Sequence, residues 1–276
     1  MIHAPRSACA AVAALESGAL ARYDTTVEIR VLPGSLFLQA CFYGMAIAIV
    51  VAAAVLLRSA SLAGGDSPPQ ARRLQRRLLI GAAIWLIVVS TAAFSGSLLP
   101  RDGRPLPFAL LVISVLALGV AIARSAIGDR LARGASLAAL VGFQSFRLPL
   151  ELMLHRAYAE GLMPVQMSYS GRNFDIVTGL TALMLAVAMT LTGVPRWVVA
   201  AWNVMGLILL LNILGVAIMS TPAFAYFGPD RLNVWVTWMP YTLLPAVMVL
   251  AAWAGHLVVF RALAQPSSSI QAGSSM

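Results

Sequence analysis

Three ionisable side chains recur at helical spacing in the stretch FRLPLELMLHRAY, where Arg147, Glu151 and His155 stand four residues apart. Residues four apart lie on one face of an α-helix, so these three would form a ladder of ion pairs and hydrogen bonds. A carboxyl group beside an imidazole can exchange a proton, and a guanidinium can hold an anionic group through two hydrogen bonds. The spacing therefore predicts a proton-handling pair, Glu151 and His155, beside Arg147. The alternative is a purely structural network that joins this helix to its neighbours.

A second polar stretch, GRNFDIVTG, follows after a short loop. Asn173 or Asp175 can cap a helix that starts here, and a carboxylate suits the positive end of a helix, so a cap is the simpler interpretation of Asp175. The short loop also returns this helix start to the level at which the preceding helix ends. We therefore predict one polar pocket at that level. Its predicted substrate-binding residues are Arg147, Glu160, Arg172, Asn173 and Asp175.

The elements that position these residues follow from composition. Of 276 residues, 60% are hydrophobic and 11% are charged, and the mean hydropathy is +0.86, a balance typical of a membrane protein. About 20 apolar residues cross a bilayer as a helix. Six uncharged runs approach or exceed that length, at 31–57, 78–100, 105–123, 176–195, 197–229 and 232–260.

A seventh helix is predicted from the polar stripe itself. The uncharged run 134–146 is too short to span, but Gln144, Arg147, Glu151, His155 and Tyr158 follow at intervals of three or four while leucines cover much of the remaining surface. Such a helix meets protein or water along its stripe. The chain is thus predicted to be an all-α, polytopic transmembrane bundle of about seven helices. We place them at about 36–57, 78–99, 106–123, 135–158, 175–193, 197–219 and 237–260, between an N-terminal tail (1–34) and a flexible C-terminal tail (263–276).

Arginine placement predicts the orientation, because cytoplasmic loops near membrane ends retain basic residues. Arginines crowd the segments 58–77 and 124–133, so both are predicted to be cytoplasmic. An odd number of helices then leaves the N-terminus outside and Arg261 inside. The predicted polar pocket falls at the outer face. The +9 net charge is spread over short connections, which fits anionic lipid headgroups better than nucleic acid, and no nucleic-acid partner is predicted.

Several chemistries are excluded by residue counts. The chain has no lysine, which rules out a retinal Schiff base and other lysine-dependent chemistry. Two cysteines and three histidines give no metal framework, since such sites need clustered ligands. His155 and His256 are predicted to lie roughly 28 Å apart in depth, at 1.5 Å per residue, and cannot share a metal or haem. Neither a metal nor a cofactor is predicted.

The predicted depth of three polar residues in the later helices indicates whether they can reach the pocket. His256 is predicted to be a packed or interface-facing histidine near the cytoplasmic end. Asn203 is predicted to lie too far toward the inner side to reach the pocket. Asn212 is placed closer, although amides within membranes mostly serve helix packing.

The pattern FR-x3-EL-x2-LHR, with GRNFDI downstream, resembles an uncharacterised family of bacterial multi-helix integral membrane proteins. The resemblance covers about the fourth to the seventh helix. It implies an intact membrane domain in the bacterial inner membrane and draws attention to Arg147, Glu151, His155, Asn173 and Asp175. It implies no established activity.

Three functions remain open from the sequence. The first is transport or binding of a small solute, with proton coupling through Glu151 or His155, although no internal repeat typical of many carriers is visible. The second is an enzyme acting on a lipid or lipid-linked substrate at the outer interface, although no nucleophile motif is present. The third is an assembly or sensing subunit of a membrane complex. The lipid bilayer is a predicted partner in each case, and a small solute or a lipid substrate is a further one. The sequence does not identify any protein partner.

Overall fold

The computed structural model describes residues 34–99 and 106–265, and within these ranges the regular structure is entirely helical. The predicted N-terminal tail, apart from Gly34, and the C-terminal tail from residue 266 lie outside the described residues. The helices are α1 (Leu36–Ala63), α2 (Pro68–Phe94), α3 (Leu106–Arg124), α4 (Ala126–Gly134), α5 (Leu137–Phe143), α6 (Arg147–Ala159), α7 (Asp175–Leu191), α8 (Arg196–Met219) and α9 (Leu250–Leu263).

Six helical stretches in the described ranges are long and apolar enough to cross a membrane. They are Leu36–Ala63, Pro68–Phe94, Pro107–Arg124, Leu137–Ala159, Arg196–Met219 and Leu244–Leu263. The apolar helix α7 is shorter, at 17 residues. The prediction of an all-α, polytopic bundle of about seven helices is confirmed.

The helix bounds differ from the predicted ones where charge was used as a boundary. α2 begins at Pro68, ten residues before the predicted start. The backbone N–H of Ser67 donates to Oε1 of Gln70 at 2.9 Å, and a proline in the first helical turn loses no hydrogen bond. Arginines are good helix formers, so the helix runs on beyond the apolar stretch. For the same reason α4 forms within the predicted loop 124–133, with Ser125 accepting from the N–H of Ile127.

The predicted fourth helix is one continuous rod, Leu137–Ala159, built from α5, a 3₁₀ turn at Gln144–Phe146 and α6. Pro149 has no N–H to donate to the carbonyl four residues earlier, and its ring crowds that carbonyl. The 3₁₀ turn lies at this position. The helix is therefore locally tightened one turn before the proline.

The ends of the helices assemble into two groups. Arg130 forms an ion pair with Asp66 at 2.8 Å, and Arg261 reaches Asp129 at 3.1 Å, so the loop between α1 and α2, α4 and the end of α9 lie together. Nη2 of Arg196 donates to carbonyls at the end of α9. We call this the arginine-rich end. It carries Arg58, Arg72, Arg73, Arg76, Arg77, Arg124, Arg130, Arg133, Arg196 and Arg261. The opposite end holds the start of α1 and the end of α6, where Ser35 donates to Glu160.

The largest apolar core lies toward the opposite end. Phe42 of α1 contacts Trp235 and Tyr241 edge-on, with ring centroids 6.0 and 5.2 Å apart. All three side chains are buried. This core joins α1, α3 and α6 to the segment that leads into the last spanning helix. It thereby fixes the α6 rod, which carries the polar stripe, against the bundle.

Candidate functional site

A group of buried polar side chains lies between α6, α7, α8 and α9. We call it the buried polar cluster. Its members are each at most 5% exposed and are Gln144, Arg147, Glu151, Asn173, Asp175, Thr178, Asn203 and His256. Charged groups are costly inside a bilayer unless they are paired, so every ionisable member requires an account of its partners.

Arg147 is the centre of the cluster. Its Nε donates to Oδ2 of Asp175 at 2.7 Å, and its Nη2 donates to Oδ1 of the same carboxylate. Such a two-bond pair is the strong geometry for guanidinium and carboxylate. Nη1 donates to Nε2 of His256 at 2.8 Å. Because these contacts join α6 to α7 and to α9, Arg147 connects three helices at once.

The contact with arginine fixes the state of His256. A guanidinium has only donors, so Nε2 of His256 must accept and carries no proton. The ring proton then sits on Nδ1, which donates to Oδ1 of Asn203 at 2.8 Å. Nδ2 of Asn203 in turn donates to the backbone carbonyl of His256 at 3.1 Å. His256 is therefore a neutral imidazole whose two ring nitrogens are both satisfied.

The hydrogen-bond partner of the Glu151 carboxyl group is the side-chain amide of Asn173 and not a cationic side chain. Nδ2 of Asn173 lies 2.9 and 2.8 Å from the two carboxyl oxygens and 3.1 Å from the carbonyl of Met167. Oδ1 of Asn173 accepts from the backbone N–H of Asp175 at 3.1 Å. Asn173 thus binds the first backbone N–H of α7 and the carboxyl group of Glu151 at the same time, and it links Glu151 to the Arg147–Asp175 pair.

A small cavity reaches the cluster. It has a volume of about 70 Å³, and its wall includes Arg147, Glu151, Asn173 and Asp175 among mostly apolar residues. We call it the inner pocket. Asn233 also lines it, and Oδ1 of Asn233 is buried and accepts no hydrogen bond from the described part of the protein. A water molecule, or a donor group of a few atoms, fits this space and this acceptor.

Three predicted site residues lie outside the cluster. The ring of His155 stacks on Tyr169, with centroids 4.4 Å apart, and its Nδ1 is 3.4 Å from Oγ of Ser170. Arg172 is exposed and lies over the ring of Phe227. Glu160 binds the start of α1, as described below.

The predicted ladder of Arg147, Glu151 and His155 does not form. Arg147 pairs with Asp175, and Glu151 pairs with Asn173, both across the helix interface. Side chains four apart on one helix gain only about 0.2–0.5 kcal/mol from each other, and the neighbouring helix offers better geometry. Asp175 is therefore more than a helix cap.

The depth of the cluster also corrects the sequence interpretation. Arg147 lies twelve residues before the end of α6, which is roughly 18 Å from the opposite end at 1.5 Å per residue. Asn203 is seven residues from the start of α8, and His256 is seven residues from the end of α9. They share one level, about 10 Å from the arginine-rich end. The prediction that Asn203 lies too far toward the inner side to reach the pocket is therefore wrong. Asn203 and His256 are each seven residues from the arginine-rich end of their helices, so they lie side by side.

Glu160 anchors the N-terminus of α1. Its Oε2 accepts from the backbone N–H of Ser35 and its Oε1 accepts from Oγ of Ser35, both at 2.7 Å. Arg156 donates to Oε1, also at 2.7 Å. Glu160 lies just beyond the spanning rod. The hydrogen bond from Arg156, followed by those from Ser35, lowers the pKa of Glu160 from 4.5 to about 2.

We expect Glu160→Gln to destabilise the fold in a pH-dependent way. A folded-state pKa below the unfolded one gives stability that is present above about 4.5 and is lost as the pH falls toward about 2. In detergent-solubilised protein, the melting temperature of the variant should therefore fall below that of the wild type at about pH 7, and the gap should narrow at about pH 3. An equal gap at both pH values would contradict this assignment. Arg156→Gln, which leaves both Ser35 contacts in place, should have the smaller effect.

Comparisons of the chain with protein-family models, with curated proteins and with solved structures found no match. The resemblance to an uncharacterised bacterial family stays a prediction. Within residues 34–99 and 106–265, no three His, Cys, Asp or Glu side chains are arranged to hold a metal ion.

Proposed function

We propose that this chain is a small-solute transporter or binding protein of the bacterial inner membrane, in which Glu151 gains or loses a proton when solute occupies the inner pocket. One observation carries the proposal. Glu151 is 1% exposed and has an amide as its partner, while the guanidinium beside it is already engaged by Asp175 and His256.

A count of charges explains why Glu151 is the proton-handling group. The ionisable groups on the wall of the inner pocket are Arg147, Asp175 and Glu151. Arg147 and Asp175 neutralise one another, and His256 beyond them is neutral. An ionised Glu151 would leave one uncompensated negative charge in the membrane interior, whereas a protonated Glu151 leaves the cluster neutral. A cationic solute, or a donor that stabilises the carboxylate, would shift that balance.

The pocket sets the scale of the solute. Its volume of about 70 Å³ accommodates a few water molecules or a group of a few atoms. The carboxyl of Glu151 and the free acceptor of Asn233 offer two polar contacts on its wall. A larger solute requires the helices around the inner pocket to separate. Proton uptake at Glu151 is the event that would accompany this movement.

The proposed orientation places the N-terminus outside and the arginine-rich end in the cytoplasm. It is supported by the arginine distribution, since ten arginines gather at one end of the described bundle and basic residues near membrane ends favour the cytoplasmic side. The buried polar cluster then lies within the membrane, nearer its middle than the outer surface.

A carbodiimide experiment tests the protonation of Glu151. Dicyclohexylcarbodiimide is an apolar reagent that enters membranes and reacts with protonated carboxyl groups. In proteoliposomes near neutral pH, mass spectrometry of peptides should find Glu151 modified, with less modification as the pH rises. Glu160 is the internal control, because its pKa of about 2 keeps it ionised. Modification of Glu160 without Glu151 would contradict the proposal.

A flux experiment tests whether solute transport is coupled to proton movement through Glu151. Proteoliposomes that contain a pH-sensitive dye are exposed to a panel of amino acids, small carboxylates, amines and sugars. At least one solute should change the internal pH with the wild type and leave it unchanged with Glu151→Gln. If the two proteins behave alike with every solute while Glu151→Gln remains folded, Glu151 has a structural role and the transport proposal fails.

A further inference from the structure

A second and larger cavity lies away from the buried polar cluster. It has a volume of about 430 Å³ and is lined by α1, α2, α3, α4, α5 and the last spanning stretch, Leu244–Leu263. We call it the lateral cavity. Its volume is in the range of roughly 300–1,000 Å³ that is typical of small-molecule sites. Arg77 is the one charged residue among the lining residues of the described chain.

The packing of α2 creates this cavity. The buried residues of α2 are Ala71 near its start and Val89 and Ala93 near its end. No residue of α2 between Ala71 and Val89 is fully buried, and Arg77 and Gly81 are exposed. This part of the helix contacts its neighbours through a few side chains, since Nε2 of Gln75 donates to the carbonyl of Ala54 at 3.2 Å and Leu86 packs against the apolar core. Trp85 crosses to the facing helix, where its Nε1 donates to the carbonyl of Ala246 at 2.9 Å. α2 therefore packs on the bundle through a few side chains and leaves the space between them unfilled, so the cavity opens at the surface of the bundle.

The depth of the lateral cavity matches one leaflet. Its lining on α2 runs from Arg77 to Val88, eleven residues or roughly 17 Å of helix. This is slightly more than half of the hydrocarbon core, which is about 30 Å thick. The cavity starts at the arginine-rich end and ends near the membrane centre. An aliphatic chain from that leaflet spans the same depth.

The charge at its mouth selects a headgroup. Arg72, Arg73, Arg76 and Arg77 lie in the first three turns of α2, and none of them has an acidic partner among the described residues. Anionic lipid headgroups are attracted to such basic groups at a membrane surface.

We propose that the lateral cavity is a binding site for one anionic phospholipid of the leaflet at the arginine-rich end. One acyl chain fills the cavity, and the phosphate lies against Arg77. The acyl chain makes contacts with the Leu, Ile and Val side chains of the cavity wall, which would otherwise have no partner atoms on that side. This site is separate from the inner pocket and does not depend on the function proposed for Glu151.

Native mass spectrometry of the full chain tests the site. The protein is purified in mild detergent, stripped of lipid and titrated with phosphatidylglycerol or with phosphatidylcholine of the same chains. One phosphatidylglycerol should stay bound when the detergent is removed, with phosphatidylcholine binding about five-fold more weakly, the effect of one basic residue near a membrane surface. Equal binding of the two lipids would overturn the headgroup assignment.

Matched variants locate the lipid. A Cβ at Gly81 or at Gly44 of α1 would meet no atom within 4 Å, but only Gly81 lines the lateral cavity. Gly81→Phe should abolish lipid retention, and Gly44→Phe should preserve it. Ala53→Phe fills the same cavity from α1 and replaces Gly81→Phe if that variant does not fold. Retention by both cavity variants at the wild-type level would overturn the proposal.

The role of Arg77 in binding the lipid headgroup is tested with a second pair of matched variants. Arg77→Gln should remove the preference for phosphatidylglycerol, whereas Arg76→Gln, which changes the charge equally but does not line the cavity, should retain it. Equal effects of the two variants would show a diffuse surface charge and overturn the role of Arg77. Inorganic phosphate should not displace bound phosphatidylglycerol. Displacement would identify a site for free anions and would also overturn the lipid assignment.

Discussion

Arg147→Met is expected to lower the free energy of unfolding by roughly 3–5 kcal/mol, the usual cost of removing one partner from a buried ion pair. Arg147 is 1% exposed and Asp175 is 5% exposed. Without the guanidinium, the carboxylate of Asp175 loses both of its charge-assisted hydrogen bonds, and Nε2 of His256 loses its donor. Thermal or denaturant-induced unfolding in detergent, followed by tryptophan fluorescence, measures the change.

The double variant Arg147→Met/Asp175→Asn separates pairing from packing. It removes both charges, so it should recover a large part of the stability that the single variant loses. Arg77→Met is the matched control, because Arg77 is exposed and has no acidic partner in the described residues, and it should unfold close to the wild type. If the double variant is no more stable than Arg147→Met, the ion pair with Asp175 is not the reason for the loss.

Gly179→Ala is expected to destabilise the bundle by about 1–3 kcal/mol, the range for overpacking a close contact. A Cβ at Gly179 would lie 2.3 Å from the backbone nitrogen of Leu148 and 2.8 Å from the carbonyl carbon of Arg147. Backbone atoms cannot rotate away, so α7 would have to move off α6. Small residues that permit such close approach are typical of helix contacts in membranes. The same movement would lengthen the contacts between Arg147 and Asp175.

Gly215→Ala is the control for Gly179→Ala. A Cβ at Gly215 of α8 would meet no atom within 4 Å, and alanine favours a helix by about 1 kcal/mol over glycine. The two substitutions should therefore change stability in opposite directions in the same unfolding assay. A neutral or stabilising Gly179→Ala would show that α6 and α7 can separate without loss.

The π-helical segment Leu244–Val249 connects the two proposed sites. Pro245 and Met248 face the inner pocket, while Ala246 and Val247 line the lateral cavity. π-helical turns within α-helices occur frequently at functional sites. Adjacent residues of this segment line two different cavities. A movement of the segment would therefore change the shape of both cavities.

The apolar runs predicted the helices because a backbone in lipid must satisfy its own hydrogen bonds, and only long helical stretches do so. The prediction failed where local helix signals continue past a charge. The capped start of α2 at Pro68 and the short helix α4 both lie in arginine-rich sequence. Charge marks where a helix leaves the membrane, whereas capping and propensity decide where it ends.

For the candidate site, helical spacing identified the stripe that contains Gln144, Arg147 and Glu151, and the capping pattern identified Asn173 and Asp175. Spacing within one helix could not supply the partners. Arg147 binds residues 28 and 109 positions away along the chain. Asn233 gave no signal at all, because an isolated asparagine in a loop has no periodic pattern.

The sequence by itself thus determined that the chain is a membrane bundle, which helix face is polar, and that chemistry requiring a lysine of this chain is excluded. The tertiary structure alone decided the pairing of Arg147 with Asp175 and of Glu151 with Asn173, and the cavity that α2 leaves between itself and its neighbours. The physical reason is that periodicity follows from the geometry of one helix. Partners and cavities follow from how several helices pack, and one sequence pattern is compatible with many packings.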